Sequence, residues 1–370
     1  MENILERAEL RTPALTKFVR ETTNDVHQTA NYMGPAILQM ETINGLEWKI
    51  IKRKRGIPVM ANIHAMNAES GIGQRQGEVT FREGEIPSLK RKIDLGPKTL
   101  FRLKTTKYVT LEWQQLIDEI YDDLGTLRDS VLARVEWLRW QALAKGAFSY
   151  SEEDVRLSVD FLMPALNKAS MVTDTDRGFG GIAWDEVGPD TPCDWVQDLL
   201  VYVKWYKLTY GQAPTRAVCS TTVLDWMKRN VAVGEKYLWG SDFAERIMAA
   251  DEFAALLARY ELPSFVTYDV QVQSEDVDAG TLVAERLLPE YRVVLLPPAG
   301  VRVGGTLFAP TVEALMNSEQ LIGQPAPGLY AESWIEGHDT KSLWTKVAAN
   351  AFPLMDGIDL VGVLTVKTEE

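Results

Sequence analysis

Residues 111–146 read LEWQQLIDEI YDDLGTLRDS VLARVEWLRW QALAKG, and the fold reading starts from their spacing. Apolar residues recur at Trp113, Leu116, Ile117, Ile120, Leu124, Leu127, Val131, Val135, Leu138 and Ala142, steps of three and four that line one face of an α-helix. Thr110 stands where a hydroxyl can cap the first free N–H groups, and Gly146 where a left-handed stop is needed. The pattern predicts a helix over 111–146, about 54 Å long at a rise of ~1.5 Å per residue, with Gly125 as a place to bend. A plain core helix would give the same pattern.

Working outward to the N-terminal side, Glu47–Lys54 has an apolar heart (Trp48, Ile50, Ile51) and a charged exit, the composition of a strand. Arg55-Gly56-Ile57-Pro58 interrupts it, and a second short run covers 59–63. The segment 64–77, HAMNAESGIGQRQG, is small, polar and Gly-rich, as expected of a loop tip. Glu78–Phe81 and Lys90–Leu103 read as returning strands, so residues 45–104 form a long two-stranded excursion. An isolated two-stranded ribbon is marginal in water and needs a neighbour to lie on. Residues 1–40 show short helical patches but no core-forming run, which predicts an extended arm.

On the C-terminal side, KASMVTDTDRGFGGIAWDEVGPDTP (168–192) is turn-rich and marks a boundary. Helical patterns at 194–210, 221–231 and 242–260 then alternate with β-like runs at 215–220, 264–272, 280–288 and 291–304. This is an α+β order without a regular βαβ rhythm. The segments 342–352 and 360–366 read as a closing pair of strands joined by 353–357. No internal repeat or low-complexity tract is present.

Of the 370 residues, 46% are hydrophobic, enough for a sizeable core. Two cysteines, Cys193 and Cys219, make neither a metal spacing nor a disulfide framework and suit a reducing compartment. The N-terminus lacks the apolar core of a signal peptide, and no apolar stretch is long enough to span a membrane. The net charge of −13 argues against a protein whose whole surface grips nucleic acid. The charge is uneven, however: residues 41–107 hold 14 Lys+Arg against 7 Asp+Glu, leaving a strongly acidic remainder. Lys52, Arg53, Lys54 and Arg55 are the densest part of that basic segment and the candidate inter-subunit contact.

Chemistry-bearing motifs are incomplete. The histidines His27, His64 and His338 form no i, i+4 pair. Asp174-Thr175-Asp176 lacks the further ligands and closing Glu of a calcium loop, so it reads as a solvated turn. Gly71-Ile72-Gly73 and Gly178-Phe179-Gly180-Gly181 do not complete a dinucleotide fingerprint. Before Lys341-Ser342 the glycine of a phosphate loop is missing, and no nucleophile elbow occurs. No catalytic, cofactor or metal residues are assigned.

The order of parts, with four stretches, resembles the major capsid proteins of tailed bacteriophages, in particular the lambda-like family E group with the Hong Kong 97 phage-type fold. FREGEIPSLKRKI (81–93) is similar to the returning strand of that family's extended loop. RVEWLRWQALAKG (134–146) resembles the end of its spine helix through an R-x-E…Q-A-L…G pattern. LSVDF (157–161) looks like the strand that follows, and residues 334–366 resemble its closing strands, with a D-x-x-x-x-W-T-K…P core. The likeness covers roughly 40–165 and 290–366, while the N-terminal arm departs from it.

The resemblance implies an N-terminal arm (1–44), an extended β-hairpin loop (45–108), a peripheral domain with the spine helix (109–185), an axial domain (186–335) and C-terminal strands returning to the peripheral domain (336–370). It implies a structural, non-enzymatic subunit of the virion head that self-assembles into pentamers and hexamers of an icosahedral shell. The shell encloses DNA without sequence-specific binding, is assembled in the host cytoplasm, and has scaffold, portal and decoration proteins as further partners and no membrane partner. The alternatives are an encapsulin-type cargo shell, a hydrolase using the Asp174–Asp190 loop, and a nucleic-acid-binding module using residues 49–55.

Overall fold

The long helix runs unbroken from Leu111 to Lys145, through Gly125, in a computed structural model that describes residues 7–53, 60, 79–106, 110–152, 155–188, 193–239, 247–276, 281–321, 328–338 and 341–368. Both of its expected ends are present. The Trp113 N–H donates to Thr110 Oγ1 at 3.3 Å, and Gly146 stops the helix at φ +68°, a conformation that costs glycine nothing for want of a Cβ. Of the ten apolar positions that define the pattern, only Ile117 is less than buried. Beyond Val131 the burial extends round the helix and takes in Leu132, Glu136, Arg139, Gln141 and Leu143.

The chain divides into two compact units. The first comprises 1–49, 83–139 and 304–354. Its sheet is organised by the 13-residue strand Ser342–Leu354. This strand pairs antiparallel with Leu329–Glu336, Gly305–Ala309 and Ser88–Asp94, and Gln39–Thr42 adds in parallel to Gly305–Ala309. The core places Leu15, Val19, Leu100, Leu103, Ile120, Leu124 and Leu127 with Val347 and Ala349.

Residues 7–42 are not an extended arm. They form helices at Thr12–Glu21, Thr23–Thr29 and Gly34–Ile37. Leu15 and Val19, one turn apart, are buried in the core, and Val26 joins them. Thr16 donates from Oγ1 to Ala331 O at 2.9 Å and accepts from Ala331 N–H at 3.2 Å. Arg20 Nε donates to Leu329 O at 2.8 Å. Two polar side chains at i, i+4 thus satisfy backbone groups of Leu329–Glu336 that would otherwise be left open.

Lys90–Leu103 is likewise not one strand. The strand ends at Asp94 and Gly96–Thr105 is a helix. Pro97 in its first turn fits a helix start, and Leu100 and Leu103, three residues apart, reach the core. The strand expected at 59–63 and the loop tip at 64–77 lie outside the described residues, apart from Met60.

The second unit comprises 50–82, 140–303 and 355–370. Its five-stranded sheet has the order Lys168–Ser170, Gly362–Thr365, Arg292–Leu296, Arg216–Cys219, Ser264–Thr267. The helices Trp195–Tyr210, Thr221–Arg229 and Ala250–Arg259 contribute Trp195, Leu199, Tyr202, Tyr206, Met227, Phe253 and Leu256 to a core shared with Val293, Leu295 and Leu364. Two ribbons complete it, Ala147–Glu152 with Val155–Asp160 and Gln271–Asp276 with Thr281–Arg286. The two C-terminal strands do not pair with each other: Ser342–Leu354 and Gly362–Thr365 belong to different sheets.

Candidate assembly interface

Four charged or aromatic features stand out, and the first is the root of the ribbon. Glu47–Arg53 pairs with Val79–Glu85. Near its base the Ile86 N–H donates to Leu46 O at 2.8 Å, and Trp48, 6% exposed, donates from Nε1 to Glu85 O at 3.2 Å. The indole lies on Phe352 of the long strand, with ring centroids 4.8 Å apart and planes at 10°. A Cβ at Gly84 would come within 2.7 Å of that indole, so only glycine lets the returning strand pass. Further out, Lys49 and Glu83 face each other at 3.9 Å, an exposed pair of little energetic weight.

Of the candidate contact residues, Lys52 and Arg53 end the strand Glu47–Arg53, while Lys54 and Arg55 lie outside the described residues. The ribbon strands therefore start from a tryptophan-clamped base and lead toward the basic run.

A second feature is a charge cluster on the sheet of the first unit. Lys346 Nζ lies 2.9 Å from Glu313 Oε1 and 2.7 Å from Glu332 Oε1, and Lys90 Nζ lies 3.3 Å from Glu313. Burial by itself would raise the Glu313 carboxyl. A backbone hydrogen bond, Lys346 and Lys90 outweigh it and hold the group at about 2. Lys346 is the lysine of the W-T-K pattern, and its role is to tie three segments of the sheet region together.

The third feature is inside. Glu136 and Arg139 are both fully buried and paired at 3.0 Å. Glu136 Oε1 accepts from the Gly34 N–H at 2.8 Å. Arg139 Nε donates to Thr306 Oγ1 at 2.7 Å, and that hydroxyl donates to Leu38 O at 3.1 Å. One helix turn thereby fixes the N-terminal helices and the strand Gly305–Ala309 at once. Close by, His27 is buried against Tyr32, and burial, then the Arg139 charge, lowers its pKa to about 4 despite Glu136. The sequence signal is weak, a glutamate and an arginine three apart in a stretch that also holds Arg134 and Gln141, and once buried such charges persist only as a satisfied pair.

The fourth feature is the turn at 174–184, in the second unit. Asp174 accepts from the Ser170 N–H at 2.9 Å and pairs with Arg177 at 3.5 Å, while Asp176 is exposed. Asp198, buried, accepts from the Gly180 N–H at 2.8 Å and from Trp184 Nε1 at 3.0 Å, and burial raises its pKa against both bonds. These carboxylates are spent on backbone and indole donors, the work of a folded connection. Among the described residues no group of three or more His, Cys, Asp or Glu is arranged to hold a metal. Nor is any described helix long and apolar enough to cross a membrane. Cys193 and Cys219 are both buried, and burial raises both thiols, Cys219 to about 12.

The family model described as phage major capsid protein E matches residues 21–366. No curated protein sequence matches the chain. Among solved structures it is similar to a prophage capsid protein from E. coli CFT073, with 15% identity over 97% of this chain and 99% of that one and a TM-score of 0.63. It is also similar to a phage-related protein from Bordetella bronchiseptica RB50, with 14% identity over 97% of both chains and a TM-score of 0.53. These likenesses give the fold as the α+β Hong Kong 97 phage type, with a long helix, a sheet built on one long strand and a second α+β unit. With a family match across nearly all of its length, the chain belongs to the phage major capsid protein E family, and it is a structural, shell-forming subunit of the virion head.

Proposed function

We propose that this subunit assembles into pentamers and hexamers of an icosahedral head, in the host cytoplasm, through its basic ribbon laid on the acidic surface of a neighbouring copy. The observation that carries the reading is the ribbon itself. It is clamped at Trp48 and Phe352, lies in the segment with 14 Lys+Arg against 7 Asp+Glu, and belongs to a chain whose net charge is −13. Complementary charge on distinct patches of one chain favours head-to-tail association, which closes into rings when the rotation permits. In this reading the first unit, with the base of the ribbon and most of the long helix, belongs to the capsomer periphery, and the second belongs to its axial part. The acidic remainder suits a wall that encloses DNA without adhering to it. Portal, scaffold and decoration proteins are the partners such a shell would take, and the chain carries no catalysis of its own.

Replacing Lys52, Arg53 and Lys54 with Glu tests the proposal. Breaking one desolvated interfacial pair costs about 2–5 kcal/mol, and less at a rim. Particle yield by electron microscopy should fall sharply while the circular dichroism melt of the subunit stays within a few degrees. An acidic-to-basic change on the neighbouring surface should restore particles. Normal assembly together with lost DNA affinity would make the ribbon a nucleic-acid surface instead.

A further inference from the structure

We infer that the ribbon formed by Gln271–Asp276 and Thr281–Arg286 seats in the groove between the helices Thr221–Arg229 and Ala250–Arg259 of a second copy of this chain. The inference rests on the shell-forming role and names a contact between adjacent second units, separate from that of the basic ribbon.

The ribbon pairs with no third strand among the described residues. Leu282 is 61% exposed and Val283 48%. Successive residues of a strand point to opposite faces, so each face of the ribbon offers water an aliphatic side chain. A two-stranded ribbon with such faces gains stability by being covered. Its sequence places Glu275, Asp276 and Glu285 on these strands, with Arg286 as the only cation. Arg286 is already engaged by Asp269 at 2.6 Å and Glu290 at 3.0 Å. What the ribbon presents at Leu282 and Val283 is therefore aliphatic, on strands whose sequence is acidic.

The groove is apolar as well, and its charge is of the opposite sign. It is a cavity of about 370 Å³ lined by Leu224, Phe253, Leu257 and Phe265, and its charged lining residue is Lys228. The Lys228 ammonium lies 5.8 Å from the centre of the Phe253 ring. One wall is Ser264 and Phe265 of the strand Ser264–Thr267, which among the described residues is paired on one side only. Leu282 and Val283 are exposed and the groove is open, so the ribbon does not fill the groove of its own chain. Ribbon and groove are different patches of one surface, and joining them is a head-to-tail contact of the kind that builds closed rings.

Disulfide trapping decides the point, since the native cysteines are buried. Leu282→Cys combined with Ala254→Cys, which lies in the groove wall, should give on mild oxidation of assembled particles a ladder of covalent oligomers on a denaturing gel. Either cysteine alone should give monomer. In parallel, Leu282→Asp with Val283→Asp, and separately Lys228→Glu, should cut the assembled fraction about tenfold or more, the factor that corresponds to about 1.4 kcal/mol. Intact particles of the double-cysteine variant that yield no ladder overturn the inference whatever the other variants do, and leave the shell role standing. A dimer trapped by Leu282→Cys alone also overturns it, because it places ribbon against ribbon. A wild-type chain that forms no oligomer at micromolar concentration removes the shell role and this contact together.

Discussion

The indole of Trp48 stacks on the phenyl ring of Phe352, centroids 4.8 Å apart and planes within 10°, and this joins the base of the extended ribbon to the longest strand of the first unit. Removing it leaves a cavity over Gly84 and takes a donor from the Glu85 carbonyl. Trp48→Ala should lower stability by about 3–5 kcal/mol, and Trp48→Phe, which keeps a ring and loses the hydrogen bond, by about 1 kcal/mol. Urea titration followed by circular dichroism measures both. An unchanged midpoint for Trp48→Ala would show that the ribbon base is held by something else.

Glu136 and Arg139 form a buried pair in which each charge depends on the other. Glu136→Gln keeps the shape but strands the guanidinium, and should cost about 3–5 kcal/mol. The double change Glu136→Leu with Arg139→Met should cost clearly less than the sum of the two single changes, because no lone charge remains. A double-mutant cycle on denaturation free energies checks this, and strict additivity would dissolve the pairing argument.

His27 makes stability sensitive to mild acid. Its pKa is about 4 in the folded protein against an ordinary 6.5, so between these values the unfolded chain binds the proton and the folded one does not. The neutral-histidine contribution is therefore complete above about pH 6.5 and is lost progressively as pH falls toward 4. The groups that set the shift are its own burial, then Arg139, with Glu136 opposing. Compared with wild type, His27→Leu should lose less stability between pH 7 and pH 4.5. The Glu313 carboxyl, held at about 2, acts below that window. Parallel stability–pH curves for the two proteins would refute the assignment.

The 174–176 turn should be a fold element and not a cation site. Asp174→Ala removes the acceptor of the Ser170 N–H and the partner of Arg177, and should cost about 1 kcal/mol. Asp176→Ala should cost little. Calorimetric titration with calcium and magnesium should show no tight binding in wild type, and stoichiometric binding abolished by the double mutant would reverse this reading.

The long helix was legible in the sequence because its signals are local. Its apolar steps of three and four, the Thr110 hydroxyl and the Gly146 stop each act within a turn or two of chain, and the structure places all three as read. The α+β class was legible for the same reason. Partnership was not. Ser342–Leu354 and Gly362–Thr365 are neighbours in sequence yet sit in different sheets, since most of their hydrogen-bond partners, such as Ser88–Asp94 and Lys168–Ser170, come from far along the chain. The helix Thr12–Glu21 carries its apolar residues in a short, polar-looking stretch, and its burial becomes visible only when Thr16 and Arg20 meet the strand Leu329–Glu336. Gly96-Pro97 did mark the helix Gly96–Thr105, and the basic, β-like run before it masked that signal. Glu136 and Arg139 carry no pairing signal that stands out in the sequence, and packing beyond Val131 closes round the helix and makes them the link between Gly34 and Thr306. Local chemistry sets where elements begin and end, and the tertiary structure decides which faces meet, because burial and pairing are properties of the assembled chain.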